Sequence, residues 1–371
     1  MAAKSAQQTL DRSGPATRLG RLRSSFSTLG ADALLVSHLP NIRYLCGFSG
    51  SAGLLLVEAS AATLFTDSRY TFQAKEEVSG ARVQITKHGL LAAVSGTLRG
   101  RRGRLRVGFP AGSVTVAQKE ALVAAAGSRV RWVSDGSLVE KLRAVKDAGE
   151  LAKMSEAARL ISKVFRRTLG SIKPGITELE LAAKIEYGIK HLGGEGSSFE
   201  TIVASGPRSA WAHARPTSKP LRKRELVVLD QGAILCGYCS DMTRTVFVGR
   251  ATPRVRGLYE AVLDAQQAAK AVIRPGITAG DVDRAARQVL KRSNLARYFT
   301  HSTGHGLGLE VHEMPRIGRG DRTILQEGMV LTVEPGVYLE GLGGIRIEDD
   351  VVVTARGAVD LTDAPREFLE L

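Results

Sequence analysis

Leu226 to Gly249 reads LVVLDQGAILCGYCSDMTRTVFVG. The apolar run Leu226–Leu229 leads straight into Asp230. A Gly-containing segment follows, then Asp241, then the β-prone run Thr243–Val248. This pattern predicts a β-hairpin or meander. A carboxylate at the end of a buried strand is costly unless it is paired or bound to a cation. Two aspartates on adjoining strands point to a shared cation.

Working outward, the same organisation recurs. Residues 171–189 read SIKPGITELELAAKIEYGI, and residues 272–290 read VIRPGITAGDVDRAARQVL. Pro-Gly-Ile-Thr repeats at an offset of 101, each time where two helical patterns meet. Thr177 and Thr278 suit helix N-caps, with Glu180 and Asp281 three residues on as in a capping box. The echo continues at an offset of 104, where Val227-Val-Leu-Asp230-Gln-Gly232 matches Leu331-Thr-Val-Glu334-Pro-Gly336. Each half is therefore predicted to be helix, helix, then strands, with one acid at the same place in its first sheet segment. Two such halves about a pseudo-twofold would bring Asp230 and Glu334 face to face.

Five candidate ligands follow: Asp230, Asp241, His305, Glu334 and Glu348. Glu348 is expected in a strand Ile345–Asp349, as the possible counterpart of Asp241. His305 sits in His301-Ser-Thr-Gly-His305-Gly-Leu-Gly. Four clustered carboxylates repel one another and raise each other's pKa, which two divalent ions would resolve. A mixed oxygen and imidazole set suits manganese first, with cobalt, iron or zinc as alternatives. Two ions a few ångströms apart would hold a bridging water, lower its pKa and stabilise the oxyanion formed as it attacks an amide carbon. Taken singly, each of these residues is better read as a cap, turn or structural residue. It is the repeat that makes their convergence credible.

With these motifs in place, the chain resembles the metallopeptidase family of the pita-bread fold, which includes aminopeptidase P, prolidase and methionine aminopeptidase. Asp230, Asp241, His305, Glu334 and Glu348 match the family's five metal ligands in order and context, with no departure. The run from His301 through His305 to His312-Glu313, together with Glu334-Pro-Gly, carries the match. The resemblance implies that His213 contacts substrate or shuttles a proton near the leaving group. It implies that His312 hydrogen-bonds the scissile carbonyl and that His301 lines the substrate pocket. Glu334 becomes both ligand and general base, with Glu313 a weaker candidate. Arg346, two residues before Glu348 and on the same strand face, would hold a metal-binding carboxylate or a tyrosine. The plainer reading of Arg346 is a surface salt bridge.

The leading residues read as an α/β domain. Strands are expected at Ala33–Val36, Ala52–Val57, Thr63–Thr66, Val83–Thr86, Arg106–Phe109 and Arg131–Val133. Helices are expected over residues 16–30, 90–98 and 114–126, with His38–Ser51 turn-rich. Domain boundaries are placed at 16–140 and 147–371, the first resembling a creatinase-like α/β domain and the second an α+β pita-bread unit. HLPNIRYLCGFSGS from His38, and Thr66-Asp67-Ser-Arg69-Tyr70, resemble the leading domain of proline-specific members, which typical methionine aminopeptidases lack. The implied activity is release of the N-terminal residue from peptides with proline second, with Xaa-Pro dipeptidase as the alternative. Phe199, Trp211 and Tyr238 are candidate walls for the proline ring, or else core aromatics.

Composition narrows the rest. The 371-residue chain has a formal charge of +15, which raises nucleic-acid binding. The charge is dispersed, however, and no nucleic-acid module is present. No run of 18 apolar residues occurs, so no transmembrane span is expected. The first twenty residues read as a loose polar tail without a signal-like apolar region. Cys46, Cys236 and Cys239 imply no disulfide framework and suit a reducing cytoplasm. Cys236 and Cys239 read as core residues on a strand rather than as a zinc knuckle. The resemblance also implies a homodimer. The remaining alternatives are a non-catalytic binding protein on the same fold and creatine-like C–N hydrolysis, both disfavoured by the intact ligand set.

Overall fold

The computed structural model describes residues 14–371. The chain divides after Arg143 into two compact units. The tail expectation lies partly outside the described residues. From Pro15 it is overturned, because Pro15–Ser24 is helical and buries Leu19 and Leu22. That helix stops at Ser24, and a second short one, Phe26–Leu29, ends on Gly30 at φ 66. The single helix expected over 16–30 is thus two.

The first unit is a six-stranded mixed sheet. Its strands are β1 Ala33–Val36, β2 Leu54–Glu58, β3 Ala62–Asp67, β4 Arg82–Thr86, β5 Leu105–Pro110 and β6 Val130–Asp135, in the order β4-β3-β2-β1-β5-β6. β2 runs antiparallel to both neighbours, while β1–β5, β3–β4 and β5–β6 are parallel. β1 is buried at every position, as its unbroken apolar run requires. The segment expected to be turn-rich instead contains a helix, Leu39–Cys46. Pro40 near its start and Gly47 at φ 86 just past its end supply the stop and start signals. Its apolar residues Ile42, Tyr44, Leu45 and Cys46 are buried, so tertiary packing outweighs the turn-forming residues around them.

The second unit carries the duplication. Each half opens with a long helix followed by a second one: Ala148–Thr168 and Glu178–His191, then Pro253–Val272 and Ala279–Arg292. Thr177 and Thr278 each cap through the reciprocal box with Glu180 and Asp281. Both threonines also form an isolated antiparallel bridge, to Pro220 and Ile324. Their helices pack over separate hydrophobic cores. One gathers Ile161, Phe165, Leu181, Ile185, Val227 and Leu229, and the other gathers Val262, Val282, Leu290, Leu331, Val333 and Val351. Each such fully buried aliphatic side chain contributes roughly 1.5–3 kcal/mol of transfer free energy.

The strands repeat too. The first half contains β7 Gly196–Ser197, β8 Ile202–Ser205, β9 Leu226–Gln231, β10 Ala233–Leu235, β11 Tyr238–Cys239 and β12 Met242–Phe247. β9 and β12 pair antiparallel, with Asp230 opposite Thr243, and the β10–β11 hairpin is inserted between them. The second half contains β13 Gly304–Gly306, β14 Glu313–Ile317, β15 Val330–Val333, β16 Gly336–Leu339, β17 Gly343–Arg346, β18 Asp349–Thr354 and β19 Gly357–Asp360. Here β15 and β18 pair antiparallel around the inserted β16–β17 hairpin. Each half is therefore strand, acid, hairpin, acid, strand.

Two expectations fail in these insertions. The predicted strand Ile345–Asp349 is broken. Arg346 closes β17, and Glu348 lies in the crossover before β18, which belongs to a different sheet. Cys236 is exposed in the β10–β11 turn at φ 50, whereas Cys239 is buried. The tight reversal at Cys236-Gly237, rather than a strand, takes Cys236 out of the core.

Candidate metal centre

The duplicated plan places the acids. Asp230 is the penultimate residue of β9 and Asp241 immediately precedes β12. Glu334 immediately follows β15 and Glu348 immediately precedes β18. All four thus sit where a hairpin leaves or rejoins its strand pair. His305 comes from the middle of β13, which lies between β14 and β15. The flanking glycines are a steric requirement of that position. A Cβ on Gly304 would stand 2.0 Å from the Thr332 carbonyl oxygen, and one on Gly306 would stand 2.1 Å from that of Met314. The His305 side chain therefore projects from a strand held too close to both neighbours for any other residue.

Ligand atoms of Asp241, His305 and Glu348 all lie within 4.8 Å of one another, a group able to hold a metal ion. Burial pushes the His305 imidazole down to about 4, so it is neutral near neutral pH. Its Nδ1 lies 2.9 Å from the Gly306 carbonyl oxygen, which can only accept, so the proton sits on Nδ1. That leaves the Nε2 lone pair facing Asp241 Oδ2 at 3.6 Å and Glu334 Oε1 at 3.5 Å. A lone pair aimed at two carboxylate oxygens is repulsive without a cation between them. Asp230 Oδ1 and Asp241 Oδ1 are buried without a hydrogen-bond partner. Such orphaned acceptors are costly unless a cation meets them. The donor set therefore fits a hard or borderline divalent ion.

Electrostatics agree. Of the four acids, Asp230 is paired with a guanidinium, that of Arg346, at 2.5 Å. Burial, followed by repulsion from Glu348, Asp230 and the other neighbouring acids, raises the Asp241 carboxyl well above its usual range. Burial and then Glu334 and Asp230 do the same to Glu348. Burial raises Glu334 to about 7, with Arg346 opposing and Asp230 reinforcing. The protein alone does not balance this charge.

Arg346 is buried, not a surface salt-bridge residue. Its Nε donates to Thr243 Oγ1 at 3.0 Å, and Thr243 Oγ1 donates to Glu348 Oε2 at 2.6 Å. Its Nη1 donates to the Tyr338 hydroxyl at 2.8 Å. His301 Nδ1 lies 2.8 Å from the Ser302 carbonyl and so carries its proton, and Tyr338 donates to His301 Nε2 at 2.8 Å. Both His301 nitrogens are thereby engaged. Thr243, Tyr338 and Asp350, whose Oδ2 accepts from the Asp241 N–H at 3.0 Å, were not singled out in the sequence. The available signal was alternation: Thr243 stands two residues after Asp241, and Tyr338 two after Gly336.

The other expected residues separate. His312 is exposed, with its ring 4.4 Å from that of His305. His213 is also exposed, whereas burial pushes the His301 imidazole down to about 4, helped by Arg346. The Glu313 carboxylate is buried and ion-paired to Lys146 at 3.1 Å. Tyr238 is a core residue. It packs with Met154, Leu307 and Val330 and donates to Glu150 at 2.9 Å, so it does not line a proline pocket. Trp211 is 62% exposed, and the Arg208 guanidinium stacks over it. Phe199 is half-buried.

A duplicated α+β unit with a buried carboxylate–imidazole cluster, preceded by a six-stranded α/β unit, defines a two-domain metallopeptidase architecture. Residues 152–355 match metallopeptidase family M24, and residues 18–145 match the creatinase/prolidase N-terminal domain. The chain belongs to the M24 metallopeptidase family, on its pita-bread fold. It is 41% identical over 356 residues to the uncharacterized peptidase YqhT of Bacillus subtilis, covering 95% of this chain and 100% of that one. It is 36% identical to the Xaa-Pro dipeptidase of Pyrococcus horikoshii, covering 91% and 94%. Among solved structures, the Xaa-Pro dipeptidase from Bacillus anthracis superposes with a TM-score of 0.92 at 36% identity, covering 96% and 100%. The X-Pro aminopeptidase from Thermotoga maritima superposes at 0.87 and 36%, covering 94% and 100%. Among the described residues, no helix is long and apolar enough to cross a membrane.

Proposed function

We propose that this protein is an Xaa-Pro dipeptidase that uses two divalent ions held by Asp230, Asp241, His305, Glu334 and Glu348. The observation that carries the reading is the His305 Nε2 lone pair facing two carboxylates beside the orphaned oxygens of Asp230 and Asp241. Bound ions would polarise the scissile carbonyl and activate a water. The chain's own residues do the rest. Arg346 fixes Asp230 directly and Glu348 through Thr243, so the acids hold one geometry through turnover. Glu334, the acid that immediately follows β15, is the residue we assign as general base toward that water. The nitrogen of a peptide bond to proline needs a proton to leave, and we assign exposed His213 to supply it. His312, beside His305 and without a hydrogen bond among the described residues, is free to donate to the carbonyl oxygen. His301 holds Tyr338, with both ring nitrogens committed, and presents its ring as wall.

The dipeptidase reading replaces the aminopeptidase preference drawn from the leading domain. Several relatives similar along nearly their whole length bear the name Xaa-Pro dipeptidase or prolidase. The Thermotoga aminopeptidase, at equal identity, keeps the second reading alive. Manganese is the metal we favour. The test is hydrolysis of Ala-Pro, Ala-Pro-Ala and Ala-Ala-Ala by metal-depleted protein with manganese, cobalt or zinc restored. Metal-dependent cleavage of Ala-Pro alone is expected. Release of alanine from Ala-Pro-Ala would establish the aminopeptidase instead.

A further inference from the structure

The helix Ala279–Arg292 borders an open cleft of about 270 Å³, lined also by Arg319 and Gly320. Arg284, Arg287, Lys291 and Arg319 line it, with Gln288 and a single acid, Asp283. That acid is already spent. It is 1% exposed, its Oδ2 accepts from Arg287 Nε at 2.8 Å, and its Oδ1 accepts from the Thr303 hydroxyl at 2.9 Å. Arg287 also donates to the carbonyls of Phe299 and His301, at 3.0 and 2.5 Å. A guanidinium carries five N–H groups, so one remains on each of its terminal nitrogens. Arg284 gives one bond to Asp281, at 2.5 Å, and keeps the others. Lys291 and Arg319 are exposed and make no ion pair among the described residues.

Four basic side chains line the cleft, and two are already ion-paired, Arg284 to Asp281 and Arg287 to Asp283, so Lys291 and Arg319 bring the unbalanced charge that an anion would relieve. The donors are three guanidiniums and an ammonium, the groups that fork onto phosphate oxygens. The cavity is larger than a bare phosphate needs, and the aliphatic stems of the arginines and the Gln288 amide line what is left. We propose that this cleft binds a small phosphate monoester, with the phosphate on Arg284, Lys291 and Arg319 and the organic part along the helix. None of the five candidate metal ligands lines this cleft, and the proposal does not depend on the peptidase reading.

Lys291 and Arg319 are the residues to change, because their exposure and lack of partners leave the fold intact, whereas Arg287 also holds the His301 backbone. Glycerol phosphate and inorganic phosphate would be titrated calorimetrically into metal-loaded protein at low ionic strength. Glycerol phosphate should saturate one site per chain and bind more tightly than inorganic phosphate. The Lys291→Glu, Arg319→Glu double variant, with an unchanged melting temperature, should lose at least about tenfold in affinity. His305→Ala should keep it. Absence of saturation, equal binding of bare phosphate, or undiminished affinity in the double variant would overturn the proposal. So would loss of binding in His305→Ala, which would put the anion at the metal centre.

Discussion

The two inserted hairpins of the catalytic unit occupy equivalent places in the duplication and do different work. β10–β11 turns inward: Tyr238 and Cys239 are buried against Met154 and Leu307, and the Tyr238 hydroxyl bonds Glu150. β16–β17 faces the acids: Tyr338 and Arg346 reach His301, Thr243 and Asp230. The duplication repeats the backbone path and the acidic corners, but not the side chains between them. One hairpin stabilises, and the other positions.

The largest effect should come from the corners. Asp241→Asn keeps the shape but weakens a ligand, and should lower kcat/KM by more than about 100-fold, since even outer partners of a metal cost 10–100-fold. Activity within tenfold of wild type would remove Asp241 from the centre. Next come the hairpins. Arg346→Lys cannot serve Asp230, Thr243 and Tyr338 together and should cost about 10–100-fold in kcat. Tyr238→Phe should leave kcat/KM within about twofold while costing about 1–2 kcal/mol of stability, measured by urea unfolding. If the two variants behaved alike, the division between hairpins would fail.

The third prediction concerns pH. Asp241, Glu334 and Glu348 have carboxyl pKa values raised in the metal-free fold, Glu334 to about 7. Raised acids favour the fold while protonated. Their contribution is present below their unfolded values and is lost as pH rises through the folded ones. The gain in melting temperature on adding manganese should therefore widen from about pH 5 to about pH 8. A constant or shrinking gain would contradict this charge balance. A further effect is steric and is read on stability alone. Gly306→Ala should cost about 1–3 kcal/mol by forcing β13 off β14, read as a lower melting temperature.

Much of this was legible because the repeat is a backbone signal. Pro-Gly-Ile-Thr marked both capped helices, and the offset between Asp230 and Glu334 marked both strand pairs. Glu348 was found by motif, but its strand was misjudged, because a crossover between sheets has the same apolar alternation as a continuous strand. The helix Leu39–Cys46 was hidden by turn-forming neighbours and is set by burial. Tyr338 and Thr243 were missed because their roles depend on where Arg346 points, and no local pattern encodes that. The Glu313 carboxylate looked chemical next to His312, yet its partner Lys146 is distant in sequence.

The central claim is that two equivalent strand pairs jointly hold two ions. Metal content per chain should be measured by mass spectrometry after manganese loading and removal of free ion. The account predicts two manganese ions per chain in the wild-type protein and fewer in both Asp230→Ala and Glu334→Ala, one substitution in each half. A single ion in the wild-type protein, or two retained in either variant, would contradict it.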